Sequence, residues 1–346
     1  MSVTLRACAI LGAMSLAAAL SACTHGQPAA APTITITTTA QPSASATPVS
    51  QTAVPPAMVA VTSGGALVTL DPATGGLSRT LVPRHVVGDE ISVSHGLVFF
   101  AVQKGCADEV ESVPLAGGGV SEVAAGILPA ASPDGTKLAY ATEPSERQGC
   151  FPSTPNLVPR YRLDIRALAT GAVTTLPQVP ASQAASTLPA PISHLSWAAD
   201  SKHLAVSVSA FQDNEGWNLV LVDAGVAKSY LTGPGTTYVP VTGKPARQRS
   251  YLREGVYLPD GDLFVSRACC GGVPTQNTSR LMWEVDPAGV LVRQVAIGFV
   301  SLEHTSLAVT ADGKWLLYLA GHDLYVSHAG ATPARLAGGL IAAAWS

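Results

Sequence analysis

The chain has 346 residues, 20 Lys and Arg against 23 Asp and Glu, a formal net charge of −3, and a hydrophobic fraction of 47%. So small a net charge gives no reason to expect nucleic acid as a partner, and the length is ample for a full hydrophobic core. No G-x-S-x-G elbow, metal-ligand spacing or nucleotide-binding loop occurs, so neither a cofactor nor a metal is expected.

At the N-terminus, Arg6 precedes an apolar stretch from Ala7 to Leu20, too short to span a bilayer and the right length for the core of a signal peptide over residues 1–22. The following Leu20-Ser21-Ala22-Cys23 resembles the bacterial lipobox. That resemblance implies cleavage before Cys23, acylation of its thiol, and an extracytoplasmic protein anchored to the outer face of the cell membrane. Several acyl chains at about 0.8 kcal/mol per buried CH₂ make such an anchor stable where one chain would be marginal. Residues 23–56 are rich in Ala, Pro, Thr and Ser and nearly free of charge, a composition that cannot offset its ordering entropy and predicts an extended tether.

From residue 57 onward one phrase recurs: an apolar run, a turn of Asp-Gly type, and a second apolar run. It appears as Ser132-Pro133-Asp134-Gly135, Ala199-Asp200-Ser201, Pro259-Asp260-Gly261 and Ala311-Asp312-Gly313, at intervals of 66, 60 and 52 residues. A repeat of this length marks stacked or radial supersecondary units. Asp-Gly between alternating apolar runs predicts a two-residue hairpin turn joining the first and second strands of each unit. Third and fourth strands follow around Asp71–Gly76, Ala167–Gly171, Val222–Gly225 and Val285–Gly289, so the unit is a four-stranded meander.

Second strands are expected to start near Met58, Leu97, Leu138, His203, Leu263 and Trp315, which makes six units; in the Leu97 unit Ser94-His95-Gly96 replaces the Asp-Gly turn. The Met58 unit lacks a first strand. Ile341–Ser346 matches the inner strand His194–Ala198 and stops where a turn should follow. The expected fold is therefore all-β, a six-bladed β-propeller over residues 57–346, closed by the C-terminal strand pairing into the first blade and so free of the edges an open array would leave.

The phrase Ser132-Pro133-Asp134-Gly135 followed by Leu138-Ala139-Tyr140 resembles the WD40-like repeats of TolB-type six-bladed propellers. That resemblance implies a binding or scaffolding module, and it transfers no site. Similar blades precede the hydrolase domain of prolyl-oligopeptidase-like enzymes, but no such domain is recognisable in this sequence.

Four cysteines fall within the propeller region: Cys106, Cys150, Cys269 and Cys270. In an oxidising compartment they are disulfide candidates with three possible pairings, and a Cys106–Cys150 bridge between loops of neighbouring blades is preferred. Loops joining second to third strands and successive blades emerge on one rim and are the long ones, including Glu143–Arg160, Ala210–Trp217, Arg267–Arg280, Pro177–Pro191 and Thr232–Leu252. Elaborated loops on a rigid scaffold carry function, and Arg and aromatic residues anchor interfaces. This gives a candidate binding rim of Arg147, Phe151, Arg160, Phe211, Trp217, Tyr238, Arg247, Arg249 and Tyr251 for an envelope protein, peptide or glycan, with the chain itself monomeric.

The competing expectation is an enzyme. His194, Arg253, Glu254, Glu303 and His304 stand at the expected starts of inner strands, and His194, Glu254 and His304 would hold a metal in the channel of a hydrolase or lyase. The remaining histidines, His85, His95, His203, His322 and His328, fall in turns or at strand edges and receive no functional reading.

Overall fold

A computed structural model of the chain describes residues 55–105, 107–142, 162–176, 192–208, 218–224, 230–231, 236–240, 247–269, 281–287, 290–296, 306–328, 331 and 333–346. The six predicted second strands are present at the predicted places. Blade one contains β1 (Met58–Thr62), β2 (Leu67–Leu70) and β3 (Leu77–Val82); blade two contains β4 (Val86–Ser94), β5 (Leu97–Lys104), β6 (Ala107–Pro114) and β7 (Ser121–Ala125). Blade three is β8 (Ile127–Ala131), β9 (Lys137–Thr142), β10 (Arg162–Ala167) and β11 (Val173–Thr175). Blade four is β12 (Ile192–Trp197), β13 (His203–Val208), β14 (Asn218–Asp223) and β15 (Tyr230–Leu231). Blade five is β16 (Thr236–Pro240), β17 (Arg247–Tyr257), β18 (Leu263–Cys269), β19 (Leu281–Val285) and β20 (Leu291–Ala296). Blade six is β21 (Leu307–Val309), β22 (Trp315–Ala320), β23 (Asp323–His328) and β24 (Ala334–Gly338), and the last strand, β25 (Leu340–Trp345), joins blade one in the order β25-β1-β2-β3.

The predicted closure is a ladder with Met58 opposite Trp345, Val59 opposite Ala344, Ala60 opposite Ala343 and Val61 opposite Ala342. Ser346 N extends it by donating to Ala57 O at 2.9 Å. Since each blade is covered on both faces, its central strands read as continuous apolar runs and not as alternation. Met58 and Ala60 pack with Leu317 and Leu319 of blade six, whereas Val59 and Val61 pack with Val98 and Phe100 of blade two. Six apolar clusters fill the six interfaces between blades among the described residues. Outer strands such as β3, β7 and β11 are largely exposed.

Two expectations are corrected. The Asp-Gly phrase does not make a two-residue turn. Ser132 N donates to Lys137 O and Gly135 N to Ser132 O, both at 2.9 Å, so the loop runs over four residues, and its positive φ belongs to Gly135 (66°). Asp134 shapes it instead through its side chain, whose Oδ1 accepts from Thr136 N at 3.0 Å and from the Ser132 hydroxyl at 2.6 Å. This is the local capping that favours a type I turn followed by a left-handed residue. Thr310–Trp315 repeats the pattern around Asp312, with Gly313 at φ 70°. The true two-residue turn is the exception in blade two, where His95 (φ 49°) and Gly96 (φ 75°) both occupy the left-handed region and Ser94 pairs with Leu97.

The second correction concerns Thr232–Leu252, expected as a loop. It contains β16 and the first half of β17, paired from Thr236 opposite Tyr251 to Pro240 opposite Arg247, so blade five has five strands. Thr236, Thr237, Tyr238 and Val239 are β-branched or aromatic and suit an extended ladder, but no turn motif flags them.

Candidate ligand channel

The inner strands of the six blades, β4, β8, β12, β17, β21 and β25, enclose a channel of about 900 Å³ whose wall continues onto the inner-to-second-strand turns at His95, Pro133, Ala199, Pro259 and Asp312. Among the described residues, a mouth of the channel therefore lies at the short turns. Apart from β17, which also pairs with β16 over part of its length, an inner strand has only one partner within its sheet, which leaves its other edge polar; neighbouring blades satisfy part of that edge with side chains. Ala131 N donates to Ser92 Oγ at 2.9 Å, Tyr257 N to Ser196 Oγ at 3.1 Å, and Ala343 N to Ser306 Oγ at 3.4 Å. In each case a serine of an even-numbered blade receives the next inner strand. Trp197 Nε1 donates to Ala130 O at 2.8 Å and Trp345 Nε1 to Ala308 O at 3.2 Å, tying inner strands in the reverse sense.

The turns around the mouth are also knitted together. Asp134 N donates to Ser201 Oγ at 3.0 Å and Lys137 Nζ to Ser201 O at 2.9 Å, from blade three to blade four. A Cβ on Gly135 would run into the His95 ring, and one on Gly313 would sit 3.3 Å from the Pro259 ring, so glycine lets adjacent turns nest. The mouth is in consequence a preformed collar. Aromatic side chains line it: Trp315 is backed by His328, with centroids 4.4 Å apart, and meets Trp345 edge-on at 6.4 Å. Tyr257 also lines the wall, and burial pushes its phenol up to about 12, keeping it protonated at neutral pH.

Among the described residues, a side-chain contact between non-neighbouring blades crosses this wall. His194 Nδ1, in blade four, is paired with Glu90 in blade two, on either side of blade three; the side chains are 9% and 11% exposed. His194 is the third residue of β12, not the first, and its β4 partner Glu90 was not singled out by the sequence. The signal for it was slight: Gly88, Asp89 and Glu90 interrupt the otherwise apolar pattern of β4.

Of the other sequence-derived site residues, Glu254 lies inside β17, where the register shifts between Leu252 and Gly255. Arg247, Arg249 and Tyr251 occupy alternate positions in β17, and Tyr238 is opposite Arg249, so the backbone brings these four rim candidates onto one hairpin. Cys269 ends β18 opposite Ser250. Cys23, Cys106, Cys150, Cys270, Arg147, Phe151, Arg160, Phe211, Trp217 and His304 lie outside the described residues.

A second polar feature sits on blade five. Carboxylate oxygens of Asp260, Asp262 and Glu284 come within 4.8 Å of one another. Burial raises the Asp262 pKa, and its carboxylate neighbours add to the effect. Arg293 Nε neutralises Glu284 at 2.5 Å, and none of the three lines the channel.

Among solved structures, TolB from Acinetobacter baumannii is similar over 84% of this chain and 66% of its own, with a TM-score of 0.56 and 13% identity. The fold is a TolB-like propeller. The chain spans just under two-thirds of that structure's length, and at this identity the likeness is one of fold. Hydrazine synthase from Kuenenia stuttgartiensis (11% identity, 78% of this chain, 75% of that one) and a tricorn protease (13%, 82% and 29%) are similar with TM-scores of 0.46. No protein-family description and no curated protein sequence matches the chain.

Proposed function

We propose that the chain is a cell-envelope lipoprotein whose propeller is a non-catalytic binding or scaffolding module. In this reading Cys23 carries the lipid, residues 23–56 form the tether, and the ligand enters the channel from the short-turn rim. The observation that carries it is the preformed collar of turns around a channel to which all six inner strands contribute. Concave, mostly apolar sites with a few placed polar groups are the usual form of a ligand pocket. The long-loop rim named from the sequence remains a second surface of the same module, with Tyr238, Arg247, Arg249 and Tyr251 gathered on the β16–β17 hairpin.

Two arms test this. Cys23→Ser should release the protein from the membrane fraction and abolish labelling by radioactive palmitate. Ala199→Trp, at an exposed turn position bordering the mouth, should abolish retention of envelope components on the immobilised full chain. Retention that survives Ala199→Trp would move the site away from the channel. A stoichiometric ion in protein purified without added metal would favour the hydrolase or lyase reading, with His194 as a ligand.

A further inference from the structure

Resting on that reading, we infer that the channel mouth binds a neutral glycan, one sugar ring stacking on the Trp315–Trp345 pair. Both indoles line the channel and both are half-buried, so they leave aromatic surface at the mouth of a rigid collar. Two half-buried indoles side by side offer a ligand apolar contact that a single exposed side chain would not. Their geometry is fixed from behind: His328 packs on Trp315, and Ala308 O holds the Trp345 N–H. What remains available is ring face and edge, which suits the C–H face of a pyranose.

The polar setting fits the same ligand. Thr310, Asp312 and Ser346 border the two indoles; Thr310 Oγ1 and Asp312 Oδ1 are bonded within their own turn, so a sugar hydroxyl would meet Asp312 Oδ2, which lies 3.4 Å from Lys314 Nζ, and the exposed Ser346. Among the described lining residues there is no Lys or Arg, while Glu90 and Asp312 are acidic, so the described wall suits an uncharged ligand better than a phosphate- or carboxylate-bearing polymer.

An extended peptide fits less well. Peptides that add to a sheet draw affinity from main-chain hydrogen bonds. Here Ala131 N, Tyr257 N, Ala343 N, Ala130 O and Ala308 O on the inner strands are already bonded to Ser or Trp side chains. The Trp197 and Trp345 N–H groups are likewise committed inside the protein. A ligand held by stacking and hydroxyl contacts makes no demand on those groups.

The test is calorimetric titration of the full-length chain in detergent with the tetrasaccharides of N-acetylglucosamine, mannose and galactose, with tryptophan fluorescence as a second readout. At least one should saturate. Trp315→Leu should weaken it by roughly tenfold or more, as loss of an aromatic platform implies, with the melting temperature recorded alongside. Because Trp315 also packs on His328, Ala311→Trp provides a second variant: it fills the mouth from an exposed turn position and should abolish binding. Failure of all three sugars, or saturation indifferent to both variants, overturns the inference. Saturation by a proline-rich peptide, lost in Ala311→Trp, would overturn the glycan assignment but leave the channel as the binding site. Envelope retention indifferent to Ala199→Trp would instead remove the underlying reading.

Discussion

Trp345 donates its indole N–H to Ala308 O across the joint between the closing strand and blade six, and Trp197 makes the same contact with Ala130 O between blades four and three. Both residues end an inner strand just before the short-turn rim, so an equivalent sequence position performs an equivalent clasp. All four residues line the channel, but Trp197 and its acceptor Ala130 are buried, whereas Trp345 and Ala308 are half-buried. Replacing Trp197 by Phe should therefore cost about 1–3 kcal/mol, the penalty for a buried carbonyl left without a donor. Trp345→Phe should cost less, because water can reach Ala308 O. Urea unfolding of the two variants measures the difference, and equal losses would show that the acceptor's surroundings do not set the cost.

The sequence made the blades legible through local chemistry. Turn phrases located five of the six second strands, and the orphan strand at Met58 pointed to its partner Leu340–Trp345. It misjudged the turn type because Asp-Gly serves both two- and four-residue hairpins; Ser132 and Asp134 choose between them by side-chain bonds to the backbone. β16 escaped notice because a short ladder without a turn motif resembles a loop with a few β-branched residues. Of the proposed channel residues, His194 does line the wall, but its partner Glu90 is 104 residues distant, and no spacing rule connects side chains that meet across a ring.

Gly75 shows where a turn glycine is irreplaceable. It holds φ at +68°, and a Cβ there would collide with the Leu336 backbone carbonyl in β24 of blade six. Gly75→Ala should lower stability by more than the roughly 1–2 kcal/mol of a left-handed non-glycine residue, since the obstacle is backbone and cannot rotate away. Gly119→Ala is the control: it has no neighbour within 4 Å and no positive φ, and should be neutral. Thermal melts of both proteins check the contrast.

Acid sensitivity should follow Asp134. The Ser132 hydroxyl, then Thr136 N, hold its carboxyl down to about 2 from 3.8. With the folded pKa below the unfolded one, the unfolded chain binds more protons between the two values, so stability rises with pH across that window. The contribution is complete above the unfolded value and disappears as pH falls through the folded one. Asp134→Ala should accordingly lower the melting temperature at neutral pH, and the gap from the parent should close as pH approaches about 2. A gap that stays constant with pH would mean that the turn tolerates loss of the carboxylate charge.

Asp262 should behave in the opposite sense. Burial, with Asp260 and Glu284 nearby, raises its pKa, so the carboxylate is disfavoured in the folded state at neutral pH and relieved on acidification. Asp262→Asn should raise the melting temperature at neutral pH and lose that advantage once the parent carboxyl is protonated. A lower melting temperature would show that the acidic cluster contributes attraction that charge proximity alone does not reveal.

Glu90 and His194 bridge two blades that are not neighbours, and both side chains are nearly excluded from solvent. Removing either side chain takes a hydrogen bond from the other in a nearly dry wall, which costs about 1–3 kcal/mol. His194→Gln and Glu90→Gln should therefore each destabilise, while the double variant should lose less than the sum, with a coupling of about 1–3 kcal/mol in a double-mutant cycle. Chemical denaturation of the parent, both single variants and the double variant supplies the four corners. Strict additivity would mean that the two side chains are supported separately by their own strands, and that the channel wall does not depend on the contact between blades two and four.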